Sequence, residues 1–149
     1  MRGLAVCVDG VQDEELIEAA RGWAPRFEWV EVWCAYGDEA TRELERVREQ
    51  HGRPPKPPPP HRHHVEVDRE QAEAIVARGA ELMRLAQIDP RVRVLSGRDA
   101  GHALAAASSA DVALFLAAGH RSGMGPHSVG HVARFAIDHA RGPIIIVRL

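Results

Sequence analysis

The sequence predicts an α/β protein built on a five-stranded, parallel open sheet with helices on both faces. Two observations carry that prediction. Five short apolar, β-rich runs are spread along the chain, and helical patterns stand between them. Strands that alternate with helices at this spacing need crossover connections, and crossovers make neighbouring strands parallel.

The first run, residues 3–8 (GLAVCV), stops at Asp9-Gly10, and Leu16, Ala19, Ala20 and Trp23 then recur on one helical face until Pro25. Residues 28–36 (EWVEVWCAY) alternate Trp29, Glu31 and Trp33 against Val30, Val32 and Cys34, the period of a strand. Residues 38–50 are charged with few apolar anchors and suggest a solvated helix. Residues 51–65 form a Pro/His-rich insert around PPKPPPP, which excludes helix and favours an exposed, extended loop. Its His61, His63 and His64 lack a carboxylate or thiolate partner at fixed spacing, so a solvated loop is the favoured reading and a metal site the alternative.

Asp68 and Gln71 have the spacing of a capping box, and Ala72, Ile75, Val76, Gly79, Leu82, Met83 and Ala86 follow as a helical stripe up to Asp89-Pro90. Residues 91–97 (RVRVLSG) are a strand, 99–110 an alanine-rich helix, and 111–118 (DVALFLAA) a run apolar enough to be covered on both faces. A glycine-rich loop spans 119–131. Val129, Val132, Ala133, Ala136, Ile137 and Ala140 then mark one face of a last helix, stopped by Gly142-Pro143, and PIIIVRL is the fifth strand.

Composition narrows the function. A chain of 149 residues with 45% hydrophobic and 27% charged residues suits one ordinary domain, and no apolar stretch has the ~20 residues of a membrane helix. The start has no cleavage site of a secretory signal, so a cytoplasmic location is expected. A net charge of −2 argues against nucleic acid and anionic membrane as partners. Cys7 and Cys34 lie inside strand-like runs and read as reduced, buried small hydrophobes. No GxGxxG, no GxxxxGK[ST] and no GxSxG turn at Ser96, Ser122 or Ser128 is present, and no nucleophile has an adjacent base, so the chain does not read as an enzyme.

In open α/β sheets ligands bind beyond the carboxyl ends of the strands. Asp9, Ala35, Tyr36, Gly97 and the 119–131 loop all fall at that edge.

The order LAVCVDG, LSGRDAGHAL, ADVALFLAAG, the glycine loop and VGHVARFAIDHARGPIIIV resembles the universal stress protein family over nearly the whole length. The resemblance implies strand order 3-2-1-4-5 in an adenine nucleotide alpha hydrolase-like fold, homodimerisation through the last strand and, in one branch of the family, adenine-nucleotide binding, with ATP or AMP as ligand and no metal required. That branch carries Gly, two residues, Gly, nine residues, Gly, then Ser or Thr. Here the pattern is broken. With Gly119 as second glycine the first falls on Leu116, the third on Gly130 only with one extra residue, and the hydroxyl position on His131. Counting back from Gly130 without a gap puts Ala117 and His120 at the first two glycines.

The resemblance thus implies a weakened or remodelled site from Asp9, Ala35, Gly97, Gly119, Arg121, Gly123, Gly130 and His131, with Arg121, His127 and His131 as cationic donors beside the helix start. The alternative is that Gly119, Gly123, Gly125 and Pro126 only shape a surface loop. Asp9 likewise has two readings, a place by the adenine and ribose or a turn residue with Gly10. His102 and His139 read as structural. A nucleotide-hydrolysing or phosphotransfer enzyme using Asp9 with His127 or His131 is the competing function.

Overall fold

The computed structural model describes residues 2–38, 67–119 and 129–149. The solvated helix expected at 38–50, all but its first residue, and the Pro/His-rich insert lie outside the described residues, as do Arg121, Gly123 and His127. The described elements are β1 (Gly3–Cys7), α1 (Asp13–Arg21), a 3-10 turn (Ala24–Arg26), β2 (Trp29–Gly37), α2 (Arg69–Leu85), β3 (Arg91–Gly97), α3 (Ala100–Ala107), β4 (Val112–Ala117), α4 (His131–His139) and β5 (Ile144–Val147). The strands form one sheet in the order β3-β2-β1-β4-β5, and every neighbouring pair is parallel.

Alternation along each strand divides the core into two halves. Leu4, Val6, Val30, Val32, Cys34, Ala113 and Phe115 turn to α1 and α2, where Leu16, Ile17, Ala20, Val76 and Met83 meet them. Ala5, Trp33, Leu95, Leu114 and Leu116 turn to the opposite side, under Ala103 and Leu104 of α3 and Ala136 of α4. β1 and β4 are covered on both faces, which is why their sequences are almost continuously apolar.

Local signals set the element ends. Asp68 accepts from the backbone N–H of Gln71 at 2.8 Å while the Gln71 side chain accepts from that of Asp68 at 3.2 Å, a complete capping box. Asp13, Glu14 and Glu15 place negative charge on the first turn of α1, where the helix dipole favours it.

Two expectations about helix faces are corrected. Trp23 does not belong to the first helix: α1 ends at Arg21, the chain tightens into the 3-10 turn around Pro25, and the Trp23 ring packs toward Phe115, centroids 6.4 Å apart. The last helix starts at His131, so Val129 precedes it, and only Ala133 and Ala136 are buried. Val132 and Ile137 are 36% and 44% exposed, because α4 covers the margin of the sheet, where β5 has four residues.

Candidate functional site

Between β1 and β4 the strand order reverses, since the chain leaves β1 toward one edge of the sheet and later comes back to the other side. The carboxyl ends of these two strands therefore flank the crevice in which such folds bind ligands. On the β1 side, Val8 donates its N–H to the Trp33 carbonyl at 2.9 Å and the chain then turns through Asp9 and Gly10, whose φ is +87°. The exposed Asp9 carboxylate accepts from the Val11 N–H at 2.9 Å, an Asx-type turn. Asp13 reaches back from the first turn of α1 and accepts from the N–H groups of Asp9 (3.1 Å) and Gly10 (2.9 Å). Burial pushes the Asp13 carboxyl above its ordinary range, and the neighbouring Asp9 charge adds to this against the opposing pull of the two N–H groups and Arg78.

On the β4 side, Gly119 and Gly130 bring the two arms of the glycine loop together. Gly119 donates its N–H to the Val129 carbonyl at 2.8 Å. A Cβ on Gly119 would lie 2.8 Å from the Gly130 Cα, and a Cβ on Gly130 2.9 Å from the Gly119 Cα. Two backbones pass at a distance that only glycine permits on either side, and Gly130 adds a φ of +83°. This neck delivers the chain to the start of α4, where Gly130 is the N-cap and, having no side chain, leaves the first-turn N–H groups to other partners. The positive end of the α4 dipole thus stands at the crevice.

A third group lies after β3. Asp99 caps α3, accepting from the His102 N–H at 2.8 Å, and the His102 ring nitrogen Nδ1 stands 2.8 Å from its other oxygen. Burial pushes Asp99 up, but the His102 N–H and ring, with the charges of His102 and His131, outweigh it and hold the carboxyl below its ordinary range. The His102 ring packs on Phe135, centroids 4.2 Å apart, and Phe135 stacks on His139 at 4.0 Å, so these rings tie α3 to α4.

Of the residues expected at the site, Asp9 follows β1, Ala35 lies in β2 opposite Leu95, and Gly97 ends β3 against Ala103 of α3. Gly119 follows β4, Gly130 caps α4 and His131 is its first residue. Leu116 and Ala117, at the broken glycine position, are strand residues paired with Ile146 and Val147, and Leu116 is buried in the sheet. Asp13 and Asp99 were not among the expected residues. Their signals are an acid four residues after Asp9 and an acid three residues before His102 at a helix start. Among the described residues no cluster of three metal-ligating side chains occurs, and no helix is long and apolar enough to cross a membrane.

No protein-family model matches the sequence, and no curated protein matches it. Solved structures do match its fold. The universal stress protein from Archaeoglobus fulgidus superposes with a TM-score of 0.59 at 17% identity, over 98% of this chain and 98% of that one. A universal stress protein in complex with cAMP gives 0.58 at 16% identity, over 98% of this chain and 96% of its own. The Archaeoglobus fulgidus protein in complex with dAMP gives 0.53 at 14%, over 98% and 97%. The chain has the universal stress protein fold along nearly its whole described length.

Proposed function

We propose that this chain is a single-domain member of the universal stress protein family, a cytoplasmic, homodimeric binding module and not an enzyme. Its ligand is an adenine nucleotide, ATP or AMP, or a related phosphate, held without a metal in a weakened and remodelled site. The observation that carries this reading is the glycine neck. Glycines beside a phosphate serve by leaving bare N–H groups for it. Here the Gly119 N–H is engaged by Val129, and the two glycines face each other. Among the described residues the backbone N–H groups of the α4 start face the same end of the sheet, and His131 stands at the position where the family's pattern has a hydroxyl. Cyclic and deoxy adenine nucleotides in two of the similar structures support the ligand class.

Losing one hydrogen bond to a charged group costs about 1.5–3 kcal/mol, or tenfold and more in affinity. His131→Ser restores a hydroxyl at the helix start and should tighten ATP about tenfold by calorimetry, with wild type binding weakly. Incubation with ATP should leave nucleotide bound and release no phosphate. Phosphate release that Asp9→Asn abolishes would favour the hydrolytic alternative instead.

Support for the dimer comes from β5. It is an edge strand, all four residues are half-buried, and exposed Val132, Ile137 and Leu149 lie on or beside the elements flanking it.

A further inference from the structure

The other edge of the sheet, β3, has a different character. At nine residues β2 is roughly 30 Å long, whereas α3, at eight residues, covers only about 12 Å. Among the described residues, side chains cover the amino-terminal foot of that face. Parallel register places Gly3 beside Trp29, Glu31 beside Arg91, and Trp33 beside Arg93. Trp29 lies over Gly3, where any Cβ would collide with the indole. The Arg2 and Arg91 guanidinium groups stand over the Trp29 ring, 5.2 and 5.4 Å from its centroid, and Arg93 stands 4.8 Å over Trp33.

These arginines differ in what else they do. Arg2 is paired with Glu28 at 2.8 Å, and the nearby Glu31 carboxylate accepts from Trp33 Nε1 at 3.2 Å. Among the described residues no carboxylate forms an ion pair with Arg91 or Arg93; each stands over an indole ring, and both residues are exposed. Val92 between them is 51% exposed on the other side of the strand.

We propose that the outer edge of β3 takes an extended, acidic segment of a protein partner as an added strand, with carboxylates at alternate positions against Arg91 and Arg93. Three features favour this occupant. Arg91 and Arg93 are two residues apart on an edge strand, so their charges repeat about every 6.6 Å, the side-chain repeat of any strand laid beside them. Among the described residues only β2 pairs with β3, so its outer edge offers backbone donors and acceptors for strand addition. The tryptophan faces hold each guanidinium over a ring, which lowers the ordering cost of a bidentate pair with a carboxylate. Arg91 and Arg93 lie in the amino-terminal half of β3, away from the carboxyl-end crevice, so partner and nucleotide would not compete for them.

The test is fluorescence anisotropy with a labelled peptide of alternating Glu and Val, a matching Lys and Val peptide, and a single-stranded oligonucleotide. The Glu peptide should bind wild type, quench or shift tryptophan emission, and slow hydrogen exchange along Arg91–Leu95. Arg91→Glu with Arg93→Glu should weaken it about tenfold or more and allow the Lys peptide to bind in its place, which also shows that the variant is folded. Failure of the Glu peptide to bind, equal binding by the charge-reversed variant, or oligonucleotide binding through the same two arginines would overturn the proposal. The first of these would leave Arg91 and Arg93 as guards against edge-to-edge aggregation.

Discussion

Asp13 and Asp99 bracket the candidate site from two helix starts, and their proton affinities run in opposite directions. Asp13, raised by burial, holds its proton more tightly in the folded chain. The stability this confers is whole below pH 3.8 and is lost as pH rises through the raised value. Asp99, lowered by His102 and His131 against the effect of burial, confers stability above pH 3.8 that is lost as pH falls through the lowered value. Relative to wild type, Asp13→Asn should therefore gain stability as pH rises above 3.8, and Asp99→Asn should lose it as pH rises toward 3.8 from below. Urea unfolding at a series of pH values checks this, and slopes of the same sign would contradict it. The Asp99 effect should be the smaller, since its side chain is 41% exposed and screened by solvent. Asp9 and Gly10 were legible as a turn because their residue types specify one. The meeting of Gly119 with Gly130 was not, because the loop holds other glycines and only the folded path selects the two that touch.

Among the elements, α2 was the most legible, since its capping box and apolar stripe lie in one contiguous segment and agree with each other. α4 was less so. Its sequence presents a broad apolar face, but how much of a face is buried depends on the neighbour beneath, and a helix at the sheet margin covers little. The strand pair β1 and β2 settles the thiols. Cys7 lies level with Trp33, so Cys34, one residue on, points to the opposite face, and no disulfide can join them. Against the expectation for both thiols, Cys34 is buried but Cys7, at the end of β1, is only partly so; burial still raises the Cys7 thiol, helped by Cys34 nearby. Burial also pushes Cys34 up to about 12, aided by the charges of Asp13 and Asp9. Neither should react with a disulfide reagent in the native protein at neutral pH, and both should react in denaturant. Rapid native labelling of either would contradict the packing described.

At the scale of the molecule, the parallel α/β class follows from alternation that is visible in the chain, whereas strand order depends on long-range pairing and only the family resemblance implies it. The two edges are managed differently: β3 exposes Arg91 and Arg93, while β5 is aliphatic from Ile144 to Val147. Pro143 and Val147 give their carbonyls to Leu114 and Ala118 of the β4 side, so Ile144 and Ile146 turn their backbone groups outward. If β5 joins two copies, Ile146→Pro removes an outward donor without breaking the β4 ladder. Sedimentation should then show a dimer for wild type and a monomer for the variant; an unchanged dimer would place the interface elsewhere.

The glycine neck is the feature on which the functional account turns, and amide hydrogen exchange at Gly119 tests it most directly. This N–H should be protected in the nucleotide-free protein by the Val129 carbonyl and stay so when ATP is added, while signals at His131–Ala133 shift. A Gly119 amide that exchanges freely alone and becomes protected only with ATP would mean that the glycine serves the phosphate after all.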